Sequence, residues 1–255
     1  MKDMTTTSVT EATRERLASF LWQHLLLFIS LFIMTFGVAL CVRSNLGSSV
    51  ISTIPFVMAL AGETDKAPGL TIGEYTYIMN FILVLLQIMV LRRKFEPMQL
   101  FQLVIGFLFG FLLDINMLLS SSLACDSLIS QICVQLSGCF VLAFGIAMEI
   151  RCGSVTMPGE GLPAAISKAT GRPFAKVKII VDISLVVIAV ILGYIFFAKW
   201  LWNVVGIGTL IAMLLVGILV KLFNPHMKWF DRTLAFRPGF RRYLYGLARF
   251  LYHRH

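Results

Sequence analysis

Charge is what this sequence has least of. Only 14% of its 255 residues are Asp, Glu, Lys or Arg, while 58% are hydrophobic. Soluble domains carry about 25% charge and about 45–50% apolar residues, so an ordinary water-soluble domain is excluded. Catalytic signatures are missing as well. The four histidines, His24, His226, His253 and His255, have no metal-ligand spacing. The five cysteines, Cys41, Cys125, Cys133, Cys139 and Cys152, are odd in number and form no CxxC pair, which fits small buried residues better than redox or metal chemistry. There is no P-loop, no dinucleotide-binding glycine loop and no Ser/His/Asp set. We therefore expect no enzyme activity, no metal and no cofactor. The first stretch, Met1 to Ser19, is mixed in charge and has no cleavage-like site before the apolar run, so no secretory signal peptide is expected.

What is abundant is long apolar sequence. A helix needs about 20 mostly apolar residues to cross roughly 30 Å of hydrocarbon. Its backbone must also pair internally, which leaves helices or closed barrels. The runs here are continuous and not alternating, so the expected fold class is all-α integral membrane. Six spans are expected: Phe20–Leu40, Glu74–Leu91, Gln99–Leu119, Leu128–Ile150, Ala175–Phe197 and Leu201–Phe223.

Basic residues set the orientation. With the N-terminus inside, all of the 22 lysines and arginines except Arg43, Lys66 and Lys199 fall in cytoplasmic segments. The lysine and arginine bias then predicts that both termini are cytoplasmic. The net charge of +9 follows from this bias and from the anionic inner leaflet, the expected partner, without any nucleic acid. In the tail, Phe240, Tyr243, Leu244, Leu247, Phe250 and Leu251 fall on one helical stripe, with Arg241, Arg242, Arg249 and Arg254 mostly off it. This predicts a basic amphipathic helix on the inner surface or against a partner.

The chain reads as a cytoplasmic segment (1–19), two membrane units (20–120 and 127–223) and the basic tail (224–255). The units match. Phe36-Gly37-Val38-Ala39-Leu40 aligns with Phe144-Gly145-Ile146-Ala147-Met148, and at the same offset of 108, Arg43 meets Arg151 and Pro55 meets Pro163. After a shorter loop the offset is 102, where Asn80 meets Asp182 and Gly106 meets Gly208. Three spans per unit force the second copy to enter from the opposite face. An inverted repeat is a recurring plan of secondary transporters. Each unit also holds an apolar segment too short to span, Leu46 to Ala61 and Gly159 to Thr170, expected to be re-entrant or interfacial. Gly47-Ser48-Ser49 and Met157-Pro158-Gly159 precede them as loop and cap residues.

Several stretches resemble a known family. They are Arg43-Ser44-Asn45-Leu46-Gly47, Ile54-Pro55-Phe56, Leu70-Thr71-Ile72-Gly73, Gln99 to Gln102, Phe109-Gly110 and Asp114. In the second unit they are Met157-Pro158-Gly159-Glu160-Gly161-Leu162, Ala165-Ile166-Ser167-Lys168 and Lys176-Val177-Lys178 followed by Asp182. Together these resemble the YczE/YyaS/YitT bacterial membrane proteins over roughly residues 20 to 225. The resemblance implies a polytopic protein of the bacterial inner membrane. Members often carry Pro and an acid shortly after Leu-Gly. Ser48-Ser49-Val50 stand there in this chain, so a role for that acid does not carry over.

Ionisable groups inside a membrane are functional candidates, because insertion costs each about 2.5–3.5 kcal/mol. Lys178 and Asp182 are four residues apart on one helix face and can pair. Glu160 opens the second short segment, where it either approaches that pair or caps the helix. Asn80 is expected to face Asp182 across the pseudo-axis. Arg43 and Arg151 end matching spans, where they either snorkel or attract an anion. Asp114 and Glu149 read as boundary residues. Gly106 and Gly110, with Gly208 and Ala212, permit close helix contact, preferably within one chain. The expected substrate-binding set is Glu160, Asp182, Lys178, Asn80, Arg43 and Arg151. It serves a secondary transporter for a small polar or anionic solute. The alternative is a non-transporting scaffold or regulatory protein acting through the tail.

Overall fold

The computed structural model describes residues 2–152 and 156–230, with side chains from residue 21 onward. Among the described residues eight α-helices follow one another: α1 Lys2–Arg43, α2 Thr53–Glu63, α3 Ile72–Leu91, α4 Gln102–Leu119, α5 Leu128–Cys152, α6 Pro158–Thr170, α7 Phe174–Phe197 and α8 Ile207–Phe223. Among the described residues, six stretches are long and apolar enough to cross a membrane. They are Leu21–Arg43, Ile72–Lys94, Pro97–Leu119, Leu128–Cys152, Phe174–Phe197 and Ile207–His226. The chain is a multi-pass helical membrane protein by this measure. The predicted sixth span began too early. Residues 201–206 form a turn-rich approach in which the Trp200 indole donates to the Val205 carbonyl (2.8 Å). The tail helix expected over 240–251 lies outside the described residues.

The outer faces agree with a lipid solvent. Ile179, Ile183, Ile191 and Ile195 on α7, and Leu210, Leu214 and Ile218 on α8, form exposed stripes at helical spacing. In water such stripes would be contiguous apolar patches; in lipid they are ordinary surface.

α1 and α5 form the centre. They cross antiparallel, since Met34 meets Gly145, Gly37 meets Leu142 and Cys41 meets Gly138. A Cβ on Gly145 would lie 2.7 Å from the Met34 nitrogen, and one on Gly138 would lie 2.8 Å from Cys41 Sγ. Only glycine allows backbones this close. Cys41 and Cys139 are buried in this seam with Ala212. α4 then packs on α1, and α8 on α5.

The two short helices are shared. α2 packs on both α3 and α7, and α6 on both α7 and α3. Their ends are specified locally. α2 follows a turn in which Gly47 takes φ +126° against Gly206 and Thr209, a conformation open to glycine. α6 begins with Pro158, which is pre-set for a first helical turn. It stops at Gly171, whose left-handed φ of +69° forms the C-cap.

α3 and α4 are held together by the close approach of Gly73 and Gly110, and by Asp114. The Asp114 carboxylate accepts from Thr71 Oγ1 (2.6 Å) and the Gly73 N–H (2.8 Å). Thr71 also makes a capping box with Glu74. Asp114 is thus an anchor for the α3 N-terminus and not simply a residue at the water boundary. The Gly106/Gly110 stripe packs within the chain, as expected.

Candidate functional site

A polar group gathers where α6 starts, in the angle between α5, α3, α4 and α7. Lys178 and Asp182 lie one turn apart on α7, and their Nζ–Oδ1 distance is 2.7 Å. This is the i, i+4 pair read from the sequence. Glu160, in the first turn of α6, is within electrostatic reach of both. Its burial raises its carboxyl above the ordinary range; the Lys178 charge opposes the rise and the Asp182 charge adds to it.

Glu160 sits in the first turn of α6, where a carboxylate is favoured, but makes no side-chain cap hydrogen bond. The N-cap is Met157, and its N–H is taken by Glu149 Oε1 (3.2 Å), reaching back from the last turns of α5. Glu149 is only 4% exposed, and its Oε2 has no hydrogen-bond partner. The boundary role expected for Glu149 is therefore overturned. Glu149 is buried, and it lies close enough to Glu160 for the two charges to repel.

Two amides complete the group. Gln87 Nε2 donates to Gln102 Oε1 (3.0 Å) and lies 3.5 Å from the Pro158 carbonyl. A Cβ on Gly161 would fall 2.7 Å from the Oε1 atoms of both glutamines. The glycine beside Glu160 is thus what lets two buried amides lie directly on the α6 backbone. Sequence reasoning gave neither glutamine a role, though two glutamines inside apolar runs were the available signal, because buried amides need partners.

Other candidates stand elsewhere. Asn80 is 1% exposed and packs on Gly106, with neither amide atom partnered. No hydrogen bond joins it to Asp182 among the described residues, so it does not complete that pair directly. Arg43 donates to the Met117 carbonyl near the end of α4 (2.8 Å), and Arg151 donates to the Asn224 carbonyl at the end of α8. Each arginine satisfies an orphan carbonyl at a helix C-terminus, where positive charge is also favoured. Both side chains thus have a structural task in place of simple snorkelling. At the approach to α2 the hydrogen bonds join uncharged groups. Ser44 donates to Gln135 (2.6 Å), Gln135 to the Gly208 carbonyl (2.8 Å), and the Ser48 N–H to the Val204 carbonyl (2.9 Å).

A small apolar cleft between α2, α7 and the approach to α8 is lined by Val57, Ala189, Gly193, Trp200 and Leu201. None of the charged residues lines it; the Lys178 side chain is 31% exposed, whereas Glu149 is buried. Among the described residues no cluster of His, Cys, Asp and Glu has the grouping of a metal site.

No solved structure matches this chain. It is similar to the uncharacterized protein YyaS of Bacillus subtilis (strain 168), at 26% identity over 198 residues. The match covers 77% of this chain and 90% of the relative. The resemblance to YyaS-type proteins is therefore sound. The model of the family of unknown function DUF6198 matches residues 21–225, and the chain belongs to that family.

Proposed function

We propose that the chain is a secondary transporter or permease for a small polar solute, built as two inverted three-helix repeats with α2 and α6 as paired re-entrant elements. The observation that carries this reading is the buried charged group at the start of α6, a helix too short to span. Interrupted segments at matching places of two repeats are where such proteins hold their solute. Non-helical backbone at membrane depth is tolerated where protein buries it or water lines it.

The contacts favour a two-fold relation. Gly37 meets Leu142 while Gly145 meets Met34, and these are partners at the offset of 108. Reciprocal pairs of this kind characterise a two-fold interface. Arg43 and Arg151 perform the same task on α4 and α8. α2 crosses to α7 as α6 crosses to α3, so each short helix can report the position of the other unit.

Three carboxyls, Glu149, Glu160 and Asp182, stand against one ammonium, Lys178. That balance disfavours an anionic solute and favours a neutral or cationic one recognised by hydrogen bonds. In this closed arrangement Glu149 is buried, and α6 must move before a solute reaches it. The test is uptake into proteoliposomes across a panel of polar solutes. Wild type should exceed protein-free vesicles for at least one solute, and Glu160→Gln should reduce that uptake tenfold or more. Uptake equal to empty vesicles for every solute would remove the proposal.

A further inference from the structure

We propose that Glu149 is a proton-binding group of this site, protonated in the closed arrangement and releasing its proton by way of Glu160 when α6 moves. The inference deepens the transporter reading by naming its coupling ion, and it rests on that reading for its role in transport. Its structural basis is separate.

An ionised carboxylate offers about four lone-pair positions. Glu149 uses one, for the Met157 N–H, and its second oxygen is buried without a partner. Around it lie Met148, Cys152 and Met157 of the apolar core. A lone negative charge there would lack both solvation and a counter-ion, and in such surroundings a carboxyl takes up a proton. The neutral acid suits the geometry: one oxygen accepts from Met157, and the other carries the proton.

The groups that face Glu149 are few. From α6 comes Glu160, a like charge. On its own helix Cys152 lies within electrostatic reach, and the Cys152 thiol is bonded to Ser30 of α1. Arg151, two residues on, places its guanidinium on the Asn224 carbonyl. Among the described side chains the charged groups of α1 and α4 are Arg43, on the Met117 carbonyl, and Asp114, at the α3 N-terminus, and Lys221 of α8 is exposed. Lys178 and Asp182 of α7 act on Glu160. The transfer balances simply: the O–H bond of Glu149 breaks, one forms on Glu160, and Glu149 is left as a carboxylate. Glu160 then gives the same proton to water once α6 has swung clear.

The experiment needs no solute. Full-length protein in lipid nanodiscs is titrated with pH in potassium chloride and followed by infrared spectroscopy in H2O and D2O. The expected result is a protonated-carboxyl C=O band at neutral pH, sensitive to deuterium and lost in Glu149→Gln. That variant keeps an oxygen to accept from Met157, so the start of α6 should hold. In Glu160→Gln the band should persist, with its midpoint lowered by about one pH unit or more once the like charge is gone. This second shift decides the matter if Glu149→Gln does not assemble. An unchanged band in Glu149→Gln, an unmoved midpoint in Glu160→Gln, or no protonated carboxyl in wild type would overturn the proposal. A negative spectrum with positive uptake leaves a permease driven otherwise, whereas a positive spectrum without uptake leaves a proton site in a protein that is not a permease.

Discussion

α3 and α4 lie backbone to backbone, whereas α7 and α8, which the proposed repeat matches to them, make almost no contact. The sequence carries the cause. At the offset of 102, Gly73 and Gly110 are answered by Ala175 and Ala212, and Asp114 by Val216. The glycines that allow close approach and the carboxylate that anchors the α3 N-terminus are both lost. α8 packs instead on α5, with Gly208 against Gln135 and the Leu46 carbonyl. The exchange also runs the other way. Asn80 of the tight pair becomes Asp182 of the loose pair. The first pair is therefore locked together, and the second pair is unpacked and carries the Lys178–Asp182 ions.

The comparison can be broken by substitution. The largest effect is expected at Gly73. Gly73→Val puts side-chain atoms into the Gly110 carbonyl and Asp114, and should destabilise the chain by about 3 kcal/mol or prevent assembly. Ala175→Val, on an exposed position, should change stability by less than about 0.5 kcal/mol. Thermal unfolding in detergent, read on both variants, checks the contrast, and equal losses would dissolve it. A middle effect is expected from Asp114→Asn. The amide still accepts at one atom but loses the charge at the helix N-terminus, for a loss of about 1 kcal/mol. Val216→Asp offers no compensation, because no facing α7 N-terminus is packed there.

The smallest effect is a pH slope. Burial raises the Glu160 carboxyl, so the folded chain keeps this proton to a higher pH than the unfolded chain. The contribution to stability is full below the unfolded value and falls as pH rises through the folded one. Unfolding followed over acidic to neutral pH should lose part of that slope in Glu160→Gln. An identical profile would mean that Glu160 is hydrated like a surface residue.

Much of this was legible from composition and spacing. Apolar length located the spans, apart from the early start given to the sixth, and insufficient length marked α2 and α6. An interval of four residues paired Lys178 with Asp182. What escaped depends on where one element folds over another. Glu149 stands beside Arg151 near a helix end, and nothing local distinguishes it from a residue meeting water. It is buried where the chain turns into α6, with the Met157 N–H on its carboxylate. Asp114 reaches Thr71 and Gly73 more than forty residues away in sequence, and the arginines reach carbonyls at the ends of other helices. Such pairings are properties of packing and leave no periodic trace. Asn80 shows the converse: matching position 182 in register did not join the two side chains by a hydrogen bond.

The α1–α5 crossing has a mechanical consequence. Where Gly37, Gly138 and Gly145 bring main chain onto the opposing helix, there is no cushion of side chains to compress or stretch. Such a joint can turn but cannot gap without emptying its own core. If the two halves rock, they rock about this hinge pin: spin labels straddling it would keep one separation, while labels on α3 and α7 would take two.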